Sequence, residues 1–309
     1  MKTRIGTGLI GWPFPKKDPA YLWEFVDMCE DLGVDSIWLS DRIVSATPSL
    51  ESMAMMAALA GRTKRMKFGN SVLALPLRNP TVLAKEIATI DFISGGRLLP
   101  AVGLGTDNPA EFEACGVNIK QRAGRTDEAI ALMRRLWTED NVTFDGRYYH
   151  TTEVTIEPKP HQKPCPPIWI GGRTEPAFQR VGRLGDGWLT SFLSPEEVGH
   201  GIERIRIAAA EHGRSVPEDH YGTIISYCLA DSRQEAMDLA SPFMLRVRSD
   251  APPETYCGLG SIEDLASLIE DYVRHGATKF VLRAMGPPEQ TLAQTERVAR
   301  EIVPMFHNR

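Results

Sequence analysis

The residues of this sequence that could do chemistry are mostly glycines, hydroxyls and arginines, and they follow short apolar segments. The clearest example is Gly171-Gly172, which lies between the apolar residues 168–170 and a helical pattern over residues 175–184. Glycine allows a sharp turn and a close approach of the backbone to a ligand, and the amide groups at a helix start can bind a phosphate. The simpler interpretation of a Gly-Gly pair is a tight turn without a ligand.

These residues lack the side chains of most self-sufficient catalytic sites. They include no histidine, no cysteine and no pair of acids, so neither a nucleophile–base pair nor the two carboxylates of a glycosidase is indicated. Such a set suits a bound cofactor that carries the reaction while the protein orients it. The candidate site residues are Trp12, Asp41, Arg42, Ser71, Val72, Gly103, Gly105, Thr106, Gly171, Gly172, Arg173, Thr174 and Thr190.

Three of these candidates, Trp12, Asp41 and Arg42, are the ones we predict to be catalytic. Each also has a plainer interpretation: Trp12 as a packing residue, Asp41 as a turn or capping residue, and Arg42 as the partner of an ion pair. A catalytic role depends on whether the fold brings the three side chains to one rim.

Eight short strands, each followed by a helix, are predicted to position the candidates. Eight parallel strands in a chain of this length most simply close as a (β/α)8 TIM barrel, whose active site lies at the carboxyl ends of the strands. A doubly wound open sheet is the alternative, and it is less favoured because no GxGxxG follows the first strand. The strands are predicted at residues 5–10, 35–39, 67–75, 98–104, 168–170, 188–189, 221–229 and 279–282.

Two segments depart from this alternation. Residues 142–155 predict a β-hairpin with Asp145-Gly146 in a type I′ turn, followed by a proline-rich lead into the fifth strand. We interpret residues 139–165 as an insertion into a single domain of residues 1–309, because the strand–helix alternation resumes after them; a linker between two domains is the alternative. Residues 241–260 are predicted to be irregular, and their composition suggests a lid.

Composition excludes several classes of protein. The chain has 309 residues, and its net charge is −5 without a long basic run, which argues against nucleic-acid or anionic-membrane partners. No stretch predicts a membrane span or a secretion signal. Five widely separated cysteines and seven scattered histidines form no zinc or disulfide pattern, so we expect no metal and a reducing cytoplasm.

Several motifs together resemble the bacterial-luciferase-like flavin-dependent oxidoreductases. They are WLSDR, NSVLALPLRNP, AVGLGTDNPAEFEACGV, FDGRYY, EPKPHQKPCPPIWIGG and GRLGDGW. The resemblance is close over roughly residues 5–200 and looser beyond them. It implies a (β/α)8 barrel with an insertion after the fourth strand, and a homodimer.

The same resemblance implies a cofactor and where it binds. Reduced FMN or the deazaflavin coenzyme F420 would lie in front of a non-prolyl cis peptide at Ser71-Val72. The phosphate would be received by Gly171, Gly172, Arg173 and the helix start at Thr174. The ring and its ribityl chain would be approached by Gly103, Gly105, Thr106 and Thr190.

Three functional hypotheses follow from the resemblance. The motifs look more like those of F420-using members, which favours hydride transfer between F420 and a small organic substrate. Many such relatives have histidine where this chain has Arg42; arginine stays charged, so it would hold an anionic ring or substrate, and the proton donor stays open. A reduced-FMN monooxygenase using O2 and a separate flavin reductase is the alternative. A barrel that binds a cofactor without catalysis is the third.

Overall fold

The computed structural model of the chain describes residues 3–244 and 248–307. Its strands are β1 (Arg4–Leu9), β2 (Ser36–Leu39), β3 (Lys67–Asn70), β4 (Leu73–Ala74), β5 (Leu98–Leu99), β6 (Ala101–Gly103), β7 (Val142–Asp145), β8 (His150–Val154), β9 (Trp169–Gly171), β10 (Gly187–Ser191), β11 (Tyr221–Leu229), β12 (Gly258–Gly260) and β13 (Lys279–Ala284).

Most helices follow a polar residue, and proline comes directly after that residue at Asp18, Asn79, Asn108 and Ser194, as the sequence indicates. Ser194 and Ser261 each form a capping box, and Asp18 accepts from the Ala20 amide at 2.9 Å. The helices are α1 (Pro19–Asp31), α2 (Ser52–Arg62), α3 (Pro80–Ser94), α4 (Pro109–Ala114), α5 (Arg122–Thr138), α6 (Glu175–Leu184), α7 (Pro195–Glu211), α8 (Arg233–Ala240), α9 (Ile262–Arg274) and α10 (Thr291–His307).

The main sheet is parallel and curls back on itself. Its pairings run from β13 through β1 and β2 to β3 and β5, and from β4 through β6, β9, β10 and β11 back to β13. The pairs β3–β5 and β4–β6 join the two ends, because each predicted strand at 67–75 and 98–104 is split in two. Pro100, which has no N–H for a strand ladder, separates β5 from β6. The predicted α/β class with a curled parallel sheet is confirmed.

The sheet is buried on both faces, as the continuous apolar runs predict. On β13, Val281 packs inside the barrel with Trp38 and Trp169, whereas Phe280 and Leu282 pack outward in the larger core beneath the helices. This alternation places every second side chain of β13 along the barrel axis. Arg283 therefore points towards the carboxyl end of the barrel, where a site is expected.

The connection between α5 and β9 contains a separate antiparallel pair of strands, β7 and β8. Asp145 pairs with His150, so four residues connect the strands and the predicted two-residue type I′ turn is wrong. The Glu128 carboxylate on α5 accepts from the amides of Arg147 and Tyr148, both at 2.8 Å, and thereby fixes the wider loop. The interpretation of residues 139–165 as an insertion stays a prediction.

Residues 241–260 are more ordered than predicted. Residues 258–260 form β12, which pairs in parallel with the last three residues of β11, so the prediction of an irregular segment is wrong there. Residues 245–247, part of the predicted lid, lie outside the described residues. No helix in the described part of the chain has the length and apolarity that a membrane crossing requires.

Candidate active-site cavity

A cavity of about 1150 Å³ opens at the carboxyl ends of the parallel strands, where barrel enzymes have their active sites. The fold brings together all but one of the predicted site residues. Those lining the cavity are Trp12, Asp41, Arg42, Ser71, Val72, Gly103, Gly105, Thr106, Gly171, Gly172, Arg173 and Thr174. Thr190 is 1% exposed, and the lining does not include it.

The turn after β9 leads through Gly172 into the start of α6. Gly172 has φ +124°, and a Cβ there would lie 2.6 Å from the Cβ of Ala177, so only glycine fits. The Gly172 carbonyl accepts from Trp188 Nε1 at 2.8 Å and from the Thr190 hydroxyl at 3.3 Å. Thr190 thus holds the turn from behind. The amides of residues 173–175 precede the first internal bond of α6, which runs from Ala177 N to the Thr174 carbonyl.

The Val72 side chain occupies the space beside two of the other glycines, Gly103 and Gly171. The Ser71-Val72 peptide is cis, which confirms the prediction. A Cβ at Gly103 would lie 2.6 Å from Val72 Cγ2, and a Cβ at Gly171 would lie 2.9 Å from Val72 Cγ1. Both glycines therefore make room for the Val72 side chain, which forms part of the cavity wall. At residue 105 the backbone has φ +76°, a conformation that favours glycine.

The Asp41 carboxylate is fully occupied by neighbouring donors. Its side chain is 0% exposed. It accepts from the Ser52 hydroxyl at 2.8 Å, from Arg78 at 2.8 Å and from the Ala74 amide at 3.0 Å. These bonds tie the end of β2 to the start of α2 and to β4. Asp41 lies at the predicted rim, but its carboxylate is directed into the protein.

Arg42 extends into the cavity, and the buried acid Glu111 holds the backbone next to it. Its side chain is 40% exposed, donates to the Thr106 hydroxyl and lies 3.9 Å from Glu111 Oε2. Glu111 is 1% exposed and accepts from the amides of Ile43 and Val44 at 2.8 and 3.1 Å. Glu111 therefore fixes the backbone that follows Arg42. Glu111 was not among the candidate site residues predicted from the sequence.

Trp12 contributes a flat wall to the cavity. Its indole N–H donates to the Lys16 carbonyl at 2.6 Å, and its ring packs edge-on against Phe14, with ring centroids 5.3 Å apart. The polar edge of the indole is thereby satisfied, and the half-buried ring faces the cavity. Cys257 also lines the cavity, but burial raises the pKa of its thiol to about 12, so a thiolate nucleophile is not formed at neutral pH.

The lining of the cavity carries more positive than negative side chains, although Arg122 and Arg180 also pair with Asp107 at 3.5 Å and Asp127 at 2.6 Å. Five arginines line the cavity, whereas its two acids are the buried Asp41 and Glu111. Within residues 3–244 and 248–307, no histidine lines the cavity and no cluster of metal-ligating side chains occurs. A positively charged cleft concentrates anionic ligands. The arginines are Arg42, Arg122, Arg173, Arg180 and Arg283.

Two of these arginines, Arg122 and Arg180, are neither among the candidate site residues nor on a strand. Arg122 opens α5, and Arg180 lies on α6, where its Nε is 2.6 Å from Asp127 Oδ1. Both reach the cavity from helices, so the rule that selects strand ends does not find them. The signal that could have found them lies between two of the motifs, where Arg122 is followed five residues later by Asp127, the partner of Arg180.

The comparisons with known proteins agree on one family. A family model described as "Luciferase-like monooxygenase" matches residues 3–302. The F420-dependent glucose-6-phosphate dehydrogenase of Amycolatopsis mediterranei is 36% identical over 179 residues, which are 55% of this chain and 53% of the relative. The FMNH(2)-dependent dimethylsulfone monooxygenase of Pseudomonas putida is 31% identical over 214 residues, 68% of this chain and 56% of the relative. The chain thus spans about half the length of these curated relatives.

Solved structures match over nearly the whole chain. The monooxygenase RslO1 from Streptomyces bottropensis superposes with a TM-score of 0.83 at 23% identity, covering 98% of this chain and 99% of that one. An F420-dependent secondary alcohol dehydrogenase, solved with an F420-acetone adduct, gives 0.80 at 22% identity and covers 97% and 99%. At these identities the likeness shows the fold.

Proposed function

We propose that this chain, which belongs to the luciferase-like monooxygenase family and is an enzyme, transfers a hydride between coenzyme F420 and a small organic substrate. The observation that carries the proposal is the cavity with five arginines beside a glycine turn at a helix start. Relatives named as F420-dependent, at 33–36% identity, support the choice of coenzyme. The non-catalytic barrel is not proposed further, because the family is one of enzymes.

The residues present fit an anionic, flat cofactor. We propose that Gly172, Arg173 and Thr174 hold its phosphate and that Val72 supports the ring. When bound, F420 supplies or accepts the hydride, and the protein orients it. The cavity volume of about 1150 Å³ leaves room for a substrate beside such a cofactor.

The residues of the chain would act by binding and positioning. In this proposal Asp41 is a positioning residue, because its carboxylate holds β2, α2 and β4 together. Arg42 offers a fixed positive charge to an anionic ligand, since a guanidinium does not exchange protons near neutral pH. Trp12 shields one side of the cavity from water. Gly105 and Thr106 would complete the wall near the ring.

The alternative is a reduced-FMN monooxygenase that uses O2 and receives its flavin from a separate reductase. A specific observation favours it: the monooxygenase relative from Pseudomonas putida is matched over 68% of this chain, more than the F420-dependent relatives. In either case we propose a homodimer in a reducing cytoplasm, in keeping with five free cysteines.

Titration of the purified protein with F420, FMN and reduced FMN tests the choice of cofactor. Binding would be followed by ligand fluorescence and by the shift in melting temperature. Micromolar binding of F420 with negligible binding of reduced FMN is the expected result. The reverse preference, with oxygen consumption on reduced FMN, would replace hydride transfer by the monooxygenase alternative. Binding of neither cofactor would overturn both.

A further inference from the structure

Three cations in the described chain are almost fully buried, and they differ in what neutralises them. Arg180 is 8% exposed and its Nε lies 2.6 Å from the Asp127 carboxylate. Lys279 is 2% exposed and contacts the Asp35 carboxylate. Arg283 is 6% exposed, yet within the described ranges no carboxylate forms an ion pair with it. Arg283 is therefore the exception among the buried cations.

The contacts of Arg283 are all uncharged. Its Nη2 donates to the Ser71 hydroxyl and to the Ser71 carbonyl oxygen at 3.3 Å, and its Nε has no hydrogen-bond partner in the described structure. A Cβ on Gly8 would lie 2.9 Å from that Nε, so the absence of a side chain at Gly8 makes the space that Arg283 fills. Burial lowers the pKa of Arg283 to about 10, which still leaves it protonated at neutral pH.

The position of this charge is informative. Every second side chain of β13 faces the barrel axis, namely those of Lys279, Val281 and Arg283. Lys279 lies at the start of the strand, and Arg283 lines the cavity. A buried charge without a partner is strongly unfavourable, and functional sites are where such groups are retained. A ligand in the cavity can supply the missing negative charge.

We propose that Arg283 is a second anion-binding residue of the cavity, which takes a negatively charged oxygen of the bound reactants. It is distinct from the turn at Gly172, because β10 and β11 separate β9 from β13 in the sheet. The oxygen comes either from the substrate, as a carboxylate, sulfonate or phosphate, or from the anionic ring of the cofactor. The inference rests on the proposed function, since it assumes that cofactor and substrate bind here.

Two variants and a matched control test the inference. Arg283→Met removes the charge and keeps an unbranched side chain, and Arg283→Lys keeps the charge. The control is the double variant Lys279→Met, Asp35→Asn, which removes a buried cation from the same strand together with its partner. Circular dichroism and thermal unfolding would establish that each variant folds. The probes are F420 and its phosphate-free core, FMN and riboflavin, and then acetate and methanesulfonate.

If the oxygen belongs to the ring, Arg283→Met raises the dissociation constants of the phosphate-bearing and the phosphate-free cofactors alike, by ~10-fold or more. If it belongs to the substrate, cofactor affinity is unchanged, and the acetate or methanesulfonate affinity of the cofactor-loaded protein falls by ~10-fold or more. In both cases Arg283→Lys retains much of the affinity and the control variant behaves like the wild type.

Three results would overturn the inference. One is an Arg283→Met variant with unchanged affinity for every probe. Another is a loss confined to the phosphate-bearing cofactors, which would assign Arg283 to the phosphate site. The third is an equal loss in the control variant, which would trace the effect to a disturbed barrel core. If the wild type binds no cofactor, the proposed function fails, and anion titration of the cofactor-free protein still tests Arg283 by itself.

Discussion

At the scale of single residues, Gly172 is the position on which the proposed phosphate binding depends most directly. We expect Gly172→Ala to raise the dissociation constant of the bound cofactor by ~10-fold or more, because the added Cβ meets Ala177 and the φ of +124° disfavours a side chain. The turn would shift its amides away from the phosphate. Fluorescence titration with F420 and FMN measures the change.

A matched control is Gly213→Ala. Gly213 also has a positive φ, +63°, but a Cβ there would meet no atom within 4 Å. The substitution should lower the free energy of unfolding by about 1–2 kcal/mol and leave cofactor affinity unchanged. Equal affinities for Gly172→Ala and the wild type would remove the phosphate site from this turn.

Residue types predicted the location of the site better than they predicted the role of each residue. Gly103 and Gly171 were expected beside the cofactor, and both line the cavity, but the space they leave is filled by Val72. Thr190 was expected to touch the ring and instead supports Gly172 from behind. The sequence shows which residues are glycines and which carry polar side chains. Which neighbour fills the space beside a glycine, or bonds to a polar side chain, is determined only by the fold.

At the scale of elements, the repeating order of strand and helix was readable because apolar periodicity and capping residues are local signals. The splitting of two strands was not predicted. Pro100 is a local signal for the break within residues 98–104. The break between β3 and β4 lies at Ser71, whose carbonyl and hydroxyl oxygens accept from Arg283 of another strand. The four-residue loop between β7 and β8 likewise depends on Glu128 of another element.

The amino-terminal end of the barrel is held by an ion pair between Asp35, just before β2, and Lys279 at the start of β13. Burial opposes ionisation of Asp35, but the Lys279 ammonium outweighs it and lowers the pKa of the carboxyl to about 2. We expect Asp35→Asn to reduce the free energy of unfolding at pH 7 by about 3–5 kcal/mol, because it leaves the Lys279 charge buried alone.

The pH dependence of this effect has a definite sign. The folded-state pKa of Asp35 lies below the ordinary value of 3.8, so the stabilisation is complete above that value and is lost as the pH falls towards about 2. Urea unfolding at pH 7 and pH 3 should show a smaller difference between wild type and Asp35→Asn at pH 3. The control is Asp27→Asn, whose half-exposed pair with Arg62 contributes under ~1 kcal/mol. A constant difference across this range would contradict the assignment.

At the scale of the whole molecule, helix α3 exposes three large apolar side chains. Val82, Phe92 and Ile93 are 57%, 55% and 57% exposed. Val82 and Ile93 are eleven residues apart, about three helical turns, so they lie on nearly the same side of α3. Large apolar groups that share one exposed face are typical of surfaces that bind another protein.

We expect this face of α3 to form the homodimer proposed above, because pairing two copies would remove the same apolar side chains from water on both. Sedimentation or light scattering should show a dimer for the wild type. The double variant Phe92→Asp, Ile93→Asp should shift it to a monomer, because each substitution would bury a charge at the interface.

Ile207→Asp on α7, at a position 38% exposed, is the control and should leave the dimer intact. A monomeric wild type, or a dimer that survives the α3 substitutions, would place any self-association elsewhere.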